Sequence, residues 1–593
     1  MQEFQPVGFS EVIFKERYAF TETETWAEMC RRVAHQAAIA ETSEKVQKYE
    51  DKFYNILLAN AFIPGGRILY NSGRPKPQLL NCFVMKSDLD SKEGWAKVTH
   101  DMILTSMCGG GCGIDFSDIR PQGAEIAGHK GAAPGPTELM KLINNCGDPI
   151  RAGGIRRTAL MFSLDITHPS IEEFLNIKLK ESELKLANIS IRSKDTKRFI
   201  EAVQNDEEWE LEWKGKYKNT IKARKLWNII CENAWKSAEP GFLNWELVEN
   251  ENPIYYCADL ITTNPCGELP LEAYGACDLG HLVLPRFVKG NGVDWEYLGE
   301  TIRYAVRFLD NILSVNTFPL PEMRAIADLH RRIGLGTTGL ADMLAMLDYR
   351  YGSEDGNKFV DKLYKFISKN AYESSVMLAV EKGPFPACKP DLHVKSGFVK
   401  RLTPKIKSLI KEHGIRNSTL LTVAPTGTVS IVSGNCSSGI EPMMAPAYER
   451  SYFKADKRCT ELVLHPLFKT FLKTGKNVSH FVGSRELSVR EHLEIQKIVQ
   501  RHIDSSVSKT INLPEDYDLK DMSEVWLEYM PYLKGTTFYR ENSRFFYDAD
   551  GNKLPPPISK FYTAKEAKKL YKQQAKTSDH TEIQQCKSGS CDI

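Results

Sequence analysis

The stretch Asn264-Pro265-Cys266-Gly267-Glu268 places a thiol between an amide and a carboxylate, each two residues away. If the backbone is extended there, side chains alternate, so that the amide, the thiol and the carboxylate all project to one side. A second thiol, Cys277, follows eleven positions later. The pattern predicts a segment at which one small molecule contacts all three groups at once.

The composition limits the class of protein. A chain of 593 residues with 42% hydrophobic and 10% aromatic content can bury a large core and exceeds the size of one simple domain. Lys and Arg number 78 against 76 Asp and Glu, and the net charge of +2 argues against nucleic acid as a partner. The charged N-terminal stretch has no signal-peptide core, and no eighteen apolar residues run together, so we expect a cytoplasmic protein that does not enter a membrane.

Fourteen cysteines in a cytosolic chain are not expected to form a disulfide framework, because cellular thiols keep them reduced. Some are interpreted as small buried hydrophobic residues: Cys30, Cys146, Cys231, Cys257, Cys388 and Cys459. The others are candidates for redox chemistry, metal binding or packing: Cys82, Cys108, Cys112, Cys266, Cys277, Cys436, Cys586 and Cys591. Cys108 and Cys112 have no matching pair nearby, so we predict no metal site.

Hydrophobic patterning separates a helical lead-in from an α/β body. Residues 1–70 are predicted to be helical, and one face collects apolar side chains at helical spacing: Trp26, Met29, Val33 and Ala37. Residues 71–548 alternate short apolar runs with longer amphipathic stretches, which is typical of α/β domains. Within them, the alternation over 186–192 predicts a strand, and the apolar stripe over 302–313 predicts a helix.

The last part of the chain, residues 549–593, is predicted to be a flexible tail. Thr563 with Glu566 can cap a short Lys-rich helix, and the polar run that follows has almost nothing to bury. The tail carries Cys586 and Cys591, two thiols spaced to close a small ring. Such a pair is either half of a metal site or a thiol carrier, and the lack of a matched His or Cys pair favours the carrier.

Two further segments can bring backbone close to a ligand. An apolar run enters the turn Pro425-Thr426-Gly427-Thr428-Val429, where N–H groups and two hydroxyls can converge on an anion. The run Gly109-Gly110-Gly111-Cys112-Gly113 lacks the Lys-Ser/Thr end of a P-loop and the spacing of a dinucleotide fingerprint. Both segments are also typical of ordinary turns. Glu441 is interpreted as a solvated loop carboxylate without an assigned role.

Together, these motifs resemble those of ribonucleotide reductase catalytic chains, most closely the adenosylcobalamin-dependent class II enzymes. They occur in the family's order: Leu80-Asn81-Cys82-Phe83-Val84, the glycines at 109–111, residues 264–268, Ala276-Cys277-Asp278-Leu279-Gly280, Arg332-Ile333-Gly334-Leu335-Gly336, Gly339-Leu340-Ala341-Asp342, Ala424-Pro425-Thr426-Gly427-Thr428 and Gly439-Ile440-Glu441-Pro442. The resemblance covers about residues 14–544. It implies a ten-stranded α/β barrel, made of two antiparallel-related halves of five parallel strands, with Cys266 on a central finger loop.

The resemblance also implies the chemistry of the motif that carries Cys266. In the family, the cysteine at this position becomes a thiyl radical and takes the 3′ hydrogen from the ribose. The glutamate matching Glu268 removes the 3′-OH proton, and the asparagine matching Asn264 holds the hydroxyls.

A second set of thiols has an implied redox role. Cys82 and Cys277 would protonate the leaving 2′-OH and supply two electrons, ending as a disulfide. Cys586 and Cys591 would reopen that disulfide by exchange, with thioredoxin or glutaredoxin as the reductant. The implied substrate contacts are Asn81, Gly111, Pro425, Thr426, Gly427, Thr428 and Val429. The pattern departs from the family at three places: Asn81 stands where Ser or Ala is usual, Cys112 adds a thiol to the glycine run, and Asp278 replaces a common Asn.

The source of the radical follows from the dyad Phe538-Tyr539. Class I large chains receive the radical from a separate subunit through two adjacent tyrosines, and phenylalanine has no phenolic O–H to give up. Class III enzymes need a radical glycine and a zinc site of paired cysteines, and neither pattern occurs in the sequence. The resemblance therefore implies adenosylcobalamin as the cofactor.

The resemblance implies a ribonucleotide substrate, which we expect to be a diphosphate, and a deoxynucleotide effector. The sequence leaves open whether the chain is a monomer or a homodimer. The stretch before Phe14 is too short for the family's ATP-binding cone, so we expect no global control by ATP and dATP. Two alternatives remain open. One is a class I catalytic subunit with an unusual radical route, and the other is a non-catalytic nucleotide-binding or thiol-sensing descendant of the fold.

Overall fold

An all-helical region opens the chain. The computed structural model describes residues 3–86, 88–152, 156–180, 184, 186–454, 457–543, 546–547, 553–554 and 558–577. The first helices are Phe9–Arg17, Trp26–Ala38, Val46–Leu58 and Gly66–Asn71. Thr25 and Glu28 close a capping box at the start of the second of these helices. The predicted apolar face of that helix is buried, which confirms the helical lead-in.

The main sheet follows, and among the described residues it contains ten strands. In chain order they are β1 (Phe62–Pro64), β2 (Cys82–Met85), β3 (Gly111–Asp115), β4 (Leu160–Asp165), β5 (Ala187–Ser193), β6 (Gly241–Asn244), β7 (Ala276–Val283), β8 (Ile333–Thr338), β9 (Thr510–Leu513) and β10 (Gly535–Arg540). Strands β2 to β6 pair in parallel in that order. Strands β7 and β8 are parallel to each other, as are β9 and β10.

Antiparallel contacts join the two parallel halves. Strand β6 pairs antiparallel with β10, and β2 pairs antiparallel with β7. Residues 419–423 complete the second half: the Leu335 N–H donates to the Leu420 carbonyl at 2.8 Å, and the Val423 N–H donates to the Ser506 carbonyl at 3.2 Å. Backbone pairing therefore runs from β8 through 419–423 to the segment that leads into β9. The predicted α/β barrel is confirmed, and β1 is an additional strand on β7.

Helices and short turns connect the barrel strands. The α-helices are Lys92–Met107, Pro136–Gly147, Ile171–Lys180, Thr196–Gln204, Ala223–Ser237, Trp245–Asn250, Trp295–Val315, Pro321–His330, Leu340–Met346, Glu354–Lys382, Pro390–His393, Pro404–His413, Thr428–Val432, Pro466–Thr474, Val489–Gln500 and Leu519–Tyr529. The 3-10 turns are Leu284–Phe287, Val399–Arg401, Ser484–Glu486 and Met530–Tyr532. The apolar stripe predicted over 302–313 is buried in one of these helices. None of the helices in the described part of the chain combines the length and apolar character needed to cross a bilayer.

A buried ion-pair network holds the helical region against the barrel. Arg307 donates to both carboxylate oxygens of Glu41 at 2.8 Å, and Lys382 Nζ lies 2.9 Å from the same carboxylate. These contacts, with a further hydrogen bond from Asn311, lower the pKa of Glu41 to about 2 against the opposing effect of burial. A bidentate pair of this kind fixes orientation as well as distance.

Shorter antiparallel pairs lie outside the main sheet: Arg151–Ala152 with Arg156–Arg157, Glu208–Trp213 with Lys216–Lys222, Leu260–Thr263 with Pro270–Glu272, Val288–Lys289 with Gly292–Val293, Ala447–Lys454 with Lys457–Leu464, and Phe546–Tyr547 with Lys553–Leu554.

The segment that we expected to begin the flexible tail is partly structured. Strand Ile558–Tyr562 pairs antiparallel with Ala447–Lys454, and helix Ala564–Thr577 follows it. Thr563 and Glu566 form the predicted cap, with the Thr563 N–H donating to Glu566 Oε2 at 2.9 Å. Strand Ile558–Tyr562 is thus held by backbone pairing, which the local sequence does not reveal. Cys586 and Cys591 lie outside the described residues.

Candidate active site

The finger loop is a tight turn between two short strands inside the barrel. Leu260–Thr263 and Pro270–Glu272 pair antiparallel and bring residues 264–269 to the tip. The Gly267 N–H donates to the Asn264 carbonyl at 3.0 Å, and Gly267 has a φ of +81°. The backbone is therefore not extended here, so the three side chains do not share one side by strand alternation. Asn264 and Glu268 are therefore buried, whereas Cys266 is exposed at the tip.

Glycines on β3 make room for the finger loop. A Cβ atom at Gly113 would lie 1.9 Å from the Thr263 carbonyl oxygen, and one at Gly111 would lie 2.9 Å from Pro265 Cγ. Real Cβ atoms do not approach that closely. The glycine run was interpreted as a place where backbone approaches a ligand, and the close approach that the structure shows is to the chain's own loop.

Both halves of the barrel hold the loop in place. From the first half, Asn188 Nδ2 donates to the Pro265 carbonyl at 3.0 Å. From the second half, Thr422 Oγ1 donates to the Glu268 carbonyl at 2.8 Å, and the Ser506 N–H donates to the same oxygen at 2.9 Å. These bonds satisfy buried backbone acceptors that a loop inside a barrel would otherwise leave unpaired.

Cys82 and Cys277 lie directly opposite each other on the antiparallel strands β2 and β7. Directly opposed residues in such a pair have Cα atoms about 4.5–5.5 Å apart, which falls within the range that a disulfide spans. The finger loop reaches the same place, since Asn264 Nδ2 donates to Cys82 Sγ at 3.1 Å and Cys82 Sγ lies 4.0 Å from Glu268 Oε1. The structure thus brings together four of the five residues predicted to be catalytic, with Cys266 at the tip of the same loop.

Burial controls the protonation of these groups. It raises the pKa of Glu268 to about 7, although the hydrogen bond from Asn264 opposes the shift. Burial, with a smaller contribution from neighbouring Asp278, raises the pKa of Cys277 well above its usual range. The Cys277 thiol donates to the Asp278 carbonyl at 3.2 Å. At neutral pH the Glu268 carboxyl group is therefore close to its pKa, whereas the Cys277 thiol keeps its proton.

A cavity of about 240 Å³ opens beside Cys266. Its wall includes both neighbours of the cysteine, Pro425 and residues of β5, β6 and β10. Lys509 also lines it, and this ammonium group is fully buried against Glu441, whose Oε2 lies 2.7 Å from Lys509 Nζ. Burial lowers the pKa of Lys509. A cavity with the buried Lys509 ammonium group in its wall is therefore adjacent to the thiol.

Comparison with known proteins decides the family. The model described as "Ribonucleotide reductase, barrel domain" matches residues 80–539, and the model described as "Ribonucleotide reductase, all-alpha domain" matches residues 5–77. The chain belongs to the ribonucleotide reductase family. The two matches correspond to the barrel and to the helical region that precedes it.

Three relatives illustrate the range of similarity within the ribonucleotide reductase family. The "Vitamin B12-dependent ribonucleoside-diphosphate reductase" of Thermoplasma acidophilum is 34% identical over 84% of this chain, which spans 66% of that protein's length. A protein of the same description from Mycobacterium tuberculosis is 31% identical, with 90% of this chain and 79% of that protein covered. The "Ribonucleoside-diphosphate reductase subunit alpha" of Chlamydia trachomatis is 27% identical, with 68% and 44% covered.

The residues predicted to contact substrate fall into two places in this family member. The Asn81 carbonyl accepts the Gly111 N–H at 2.7 Å, at the start of β3. The turn over residues 425–429 lies in the other half of the barrel, where Thr426 and Gly427 have positive φ values of 43° and 54°. Of these residues, Pro425 lines the cavity beside Cys266, and Val429 is buried. Their contacts with a nucleotide remain predictions.

The structure shows the surroundings of Phe538 and Glu441, two residues that were interpreted from the sequence. Phe538 occupies β10 with 1% of its surface exposed and packs against Trp526, with ring centroids 4.8 Å apart. Glu441, interpreted as a solvated carboxylate, instead anchors Lys509 and accepts the Thr510 N–H at 2.7 Å. In the sequence, the one indication of this buried ion pair was that Lys509 lies between the apolar residues Val507 and Ile511.

The other cysteines are distributed more widely than predicted. Cys30 and Cys231 are buried as expected, and Cys436 packs with its sulfur 3.7 Å from the Ser430 carbonyl. Cys146 and Cys388 are only half-buried, and Cys257 is exposed because it sits in a surface turn that precedes the finger strands. The side chain of Cys459 lies outside the described residues.

Proposed function

We propose that this chain reduces ribonucleoside diphosphates to 2′-deoxyribonucleoside diphosphates by radical chemistry, with adenosylcobalamin as the cofactor. The single observation that carries the proposal is the pairing of Cys82 with Cys277 across two strands, in contact with the loop that bears Cys266. The names of the Thermoplasma and Mycobacterium relatives support both the diphosphate substrate and the cobalamin cofactor.

Cys266 would be the residue that touches the ribose first. As a thiyl radical it would accept the 3′ hydrogen atom, and it would return that hydrogen at the end of the cycle. Adenosylcobalamin, when bound, supplies the radical that makes this possible. The cavity of about 240 Å³ beside Cys266 is where the adenosyl end of such a cofactor would be held. Polar residues of its wall would hold that end: Asn188, Ser508 and Thr537.

The buried groups would then carry the polar chemistry. Glu268, with a pKa of about 7, would take the 3′-OH proton near neutral pH, while Asn264 orients the hydroxyls. Cys82 and Cys277 would lose two hydrogens in total and form one disulfide. Those two electrons and two protons convert the 2′-OH to water and leave a C–H bond at C2′. A thiol with a raised pKa suits this step because it remains protonated until the hydroxyl leaves.

The remaining parts of the proposal concern partners. Cys586 and Cys591 would reset the buried disulfide by thiol exchange, with thioredoxin or glutaredoxin as the external reductant. A deoxynucleotide effector would set the base preference, and two copies of the chain would form a homodimer. The reaction would take place in the cytoplasm.

A reconstitution assay tests the proposed reaction. The purified chain is incubated anaerobically with CDP or CTP, dithiothreitol and adenosylcobalamin, and deoxycytidine products are quantified. We expect dCDP to form only when adenosylcobalamin is present, and a requirement for an added metallo-subunit instead would overturn the cofactor assignment. Cys266→Ala should abolish product, since alanine has no hydrogen atom that can be exchanged in this way.

Cys257→Ala is the matched control for that variant. It removes another exposed thiol from the same stretch of chain, and it should retain the activity of the unaltered protein. Thermal unfolding of both variants checks that the fold is intact. Turnover by Cys266→Ala above the background without enzyme would rule out the radical assignment.

A further inference from the structure

The N-terminal helical region contacts the turn over residues 425–429, here called the phosphate turn, and the short helix that follows it. Three side-chain hydrogen bonds are among these contacts. Ser10 Oγ donates to the Ile431 carbonyl at 2.7 Å, Asn60 Nδ2 donates to the Ser433 carbonyl at 3.3 Å, and the hydroxyls of Tyr18 and Thr428 share a hydrogen bond of 2.5 Å. Only the last of them reaches a side chain within the phosphate turn.

Tyr18 is held rigidly in this position. It is 5% exposed, and its carbonyl oxygen accepts a hydrogen bond from Arg32 Nη2 at 2.7 Å. Arg32 is fixed in turn by Glu24 at 2.6 Å. A Cβ atom at Gly66 would lie 3.3 Å from the Tyr18 hydroxyl oxygen, so the backbone already closes around it. Thr428 differs from Tyr18 because it is exposed and accessible to a ligand.

The chemistry of a hydroxyl gives this contact a direction once a phosphate is present. A threonine hydroxyl has one proton to donate and two lone pairs that accept, whereas a phosphate oxygen only accepts. If Thr428 donates its proton to a phosphate, then Tyr18 must donate to Thr428. The tyrosine therefore selects the orientation in which the threonine proton points away from the helical region.

We propose that Tyr18 is a positioning residue for the phosphates of the substrate and acts through Thr428, so that the helical region forms part of the nucleotide site. This inference rests on the proposed function and on the prediction from sequence that the phosphates of the substrate bind at residues 425–429. Tyr18 itself does not contact the substrate. Its contribution is to orient a donor that a flexible hydroxyl would otherwise present in several directions.

The test compares Tyr18→Phe with Ser10→Ala. Each variant removes one hydroxyl that bonds the helical region to the segment 428–432, so each should reduce stability by a similar amount. Only Tyr18→Phe affects Thr428. We expect Tyr18→Phe to raise the KM for CDP and its dissociation constant by about threefold to tenfold, as one lost hydrogen bond implies, with kcat changed less than about twofold. Ser10→Ala should leave both constants unchanged.

Two further measurements separate positioning from a general structural effect. Binding of cytidine, which has no phosphate, should be the same in Tyr18→Phe and in the unaltered protein. In a Thr428→Val background, the additional change Tyr18→Phe should have no further effect on CDP binding, because the residue through which it acts is gone. Equal weakening by Ser10→Ala, or equal weakening for cytidine and CDP, would overturn the inference.

Failure of the inference and failure of the proposed function give different results. CDP binding that depends on Tyr18, in a chain that yields no dCDP, would support the inference and contradict only the proposed reaction. Normal reduction of CDP with no effect of Tyr18→Phe on KM would overturn only the inference. Absence of CDP binding by the unaltered protein would overturn both.

Discussion

At the scale of single residues, burial and hydrogen bonding determine what each group at the finger loop can do. Glu268 and Cys277 are both buried, and burial raises the pKa of each. The raised pKa has a different consequence for the two groups. The pKa of the Glu268 carboxyl group is raised to about 7, so at neutral pH this group can either accept or donate a proton. The Cys277 thiol is kept protonated, as its proposed roles of acid and then reductant require.

The raised pKa of Glu268 predicts the pH dependence of the reaction. A base must be ionised, and a carboxyl group with a pKa of about 7 is mostly protonated below that pH. We expect kcat/KM for CDP to rise about tenfold per pH unit below 7 and to level off above it. A profile that bends near the ordinary value of 4.5 would show that burial does not act as described. Glu268→Gln should abolish the rising limb along with most of the activity.

At the scale of elements, the finger loop passes β3 at glycines, where that strand carries no side chain. Strand β3 contributes glycines, while β2 and β7 contribute the opposed cysteines. The loop itself has only a two-stranded ladder of its own, so its position depends on packing against these strands. Small changes in β3 should therefore affect the chemistry without touching a catalytic residue.

Gly113→Ala tests this dependence. The added methyl group would lie 1.9 Å from the Thr263 carbonyl oxygen, so either β3 or the finger strand must move. We expect a loss of about 1–3 kcal/mol in the free energy of unfolding, together with a large fall in kcat. Gly292→Ala is the control, because nothing lies within 4 Å of its Cβ position and it also sits in a strand. Urea denaturation and the CDP assay measure both quantities.

Equal stability and equal activity of Gly113→Ala and Gly292→Ala would show that the close approach of β3 to the finger loop does not affect function.

At the scale of the whole molecule, the helical region and the barrel act as one body. The ion-pair network around Glu41 and the bond from Tyr18 to Thr428 join them at separate places. At the other end of the described chain, strand Ile558–Tyr562 pairs with Ala447–Lys454, and helix Ala564–Thr577 follows it. The thiol pair Cys586 and Cys591 comes after that helix in the sequence.

The proposed shuttle role of that pair leads to a prediction about reductants. Replacing both Cys586 and Cys591 by serine should stop turnover driven by thioredoxin, because a protein reductant is too large to enter the barrel. Turnover driven by dithiothreitol should persist, since a small thiol reaches the buried disulfide directly. A single turnover by the prereduced enzyme should also be unaffected. Equal loss of activity with both reductants would contradict the shuttle.

Much of the architecture was predictable from local patterns. The helix that contains Trp26 and the strand over 186–192 follow from spacing, because periodicity directly reports which face is buried. The order of motifs identified the family, and Phe538 in place of a tyrosine directed attention to cobalamin. The cap formed by Thr563 and Glu566 was likewise visible, since capping depends on residues three positions apart.

The sequence by itself determined which reactive groups exist and the elements on which they lie. Only the tertiary structure decided that Cys82 faces Cys277, that Cys266 is exposed while Glu268 is buried, and that Glu441 neutralises Lys509. These arrangements join residues far apart in the chain, and local spacing carries no information about such contacts. The pKa of Glu268 belongs to the same category, because the loss of water around a carboxyl group depends on every segment that packs against it.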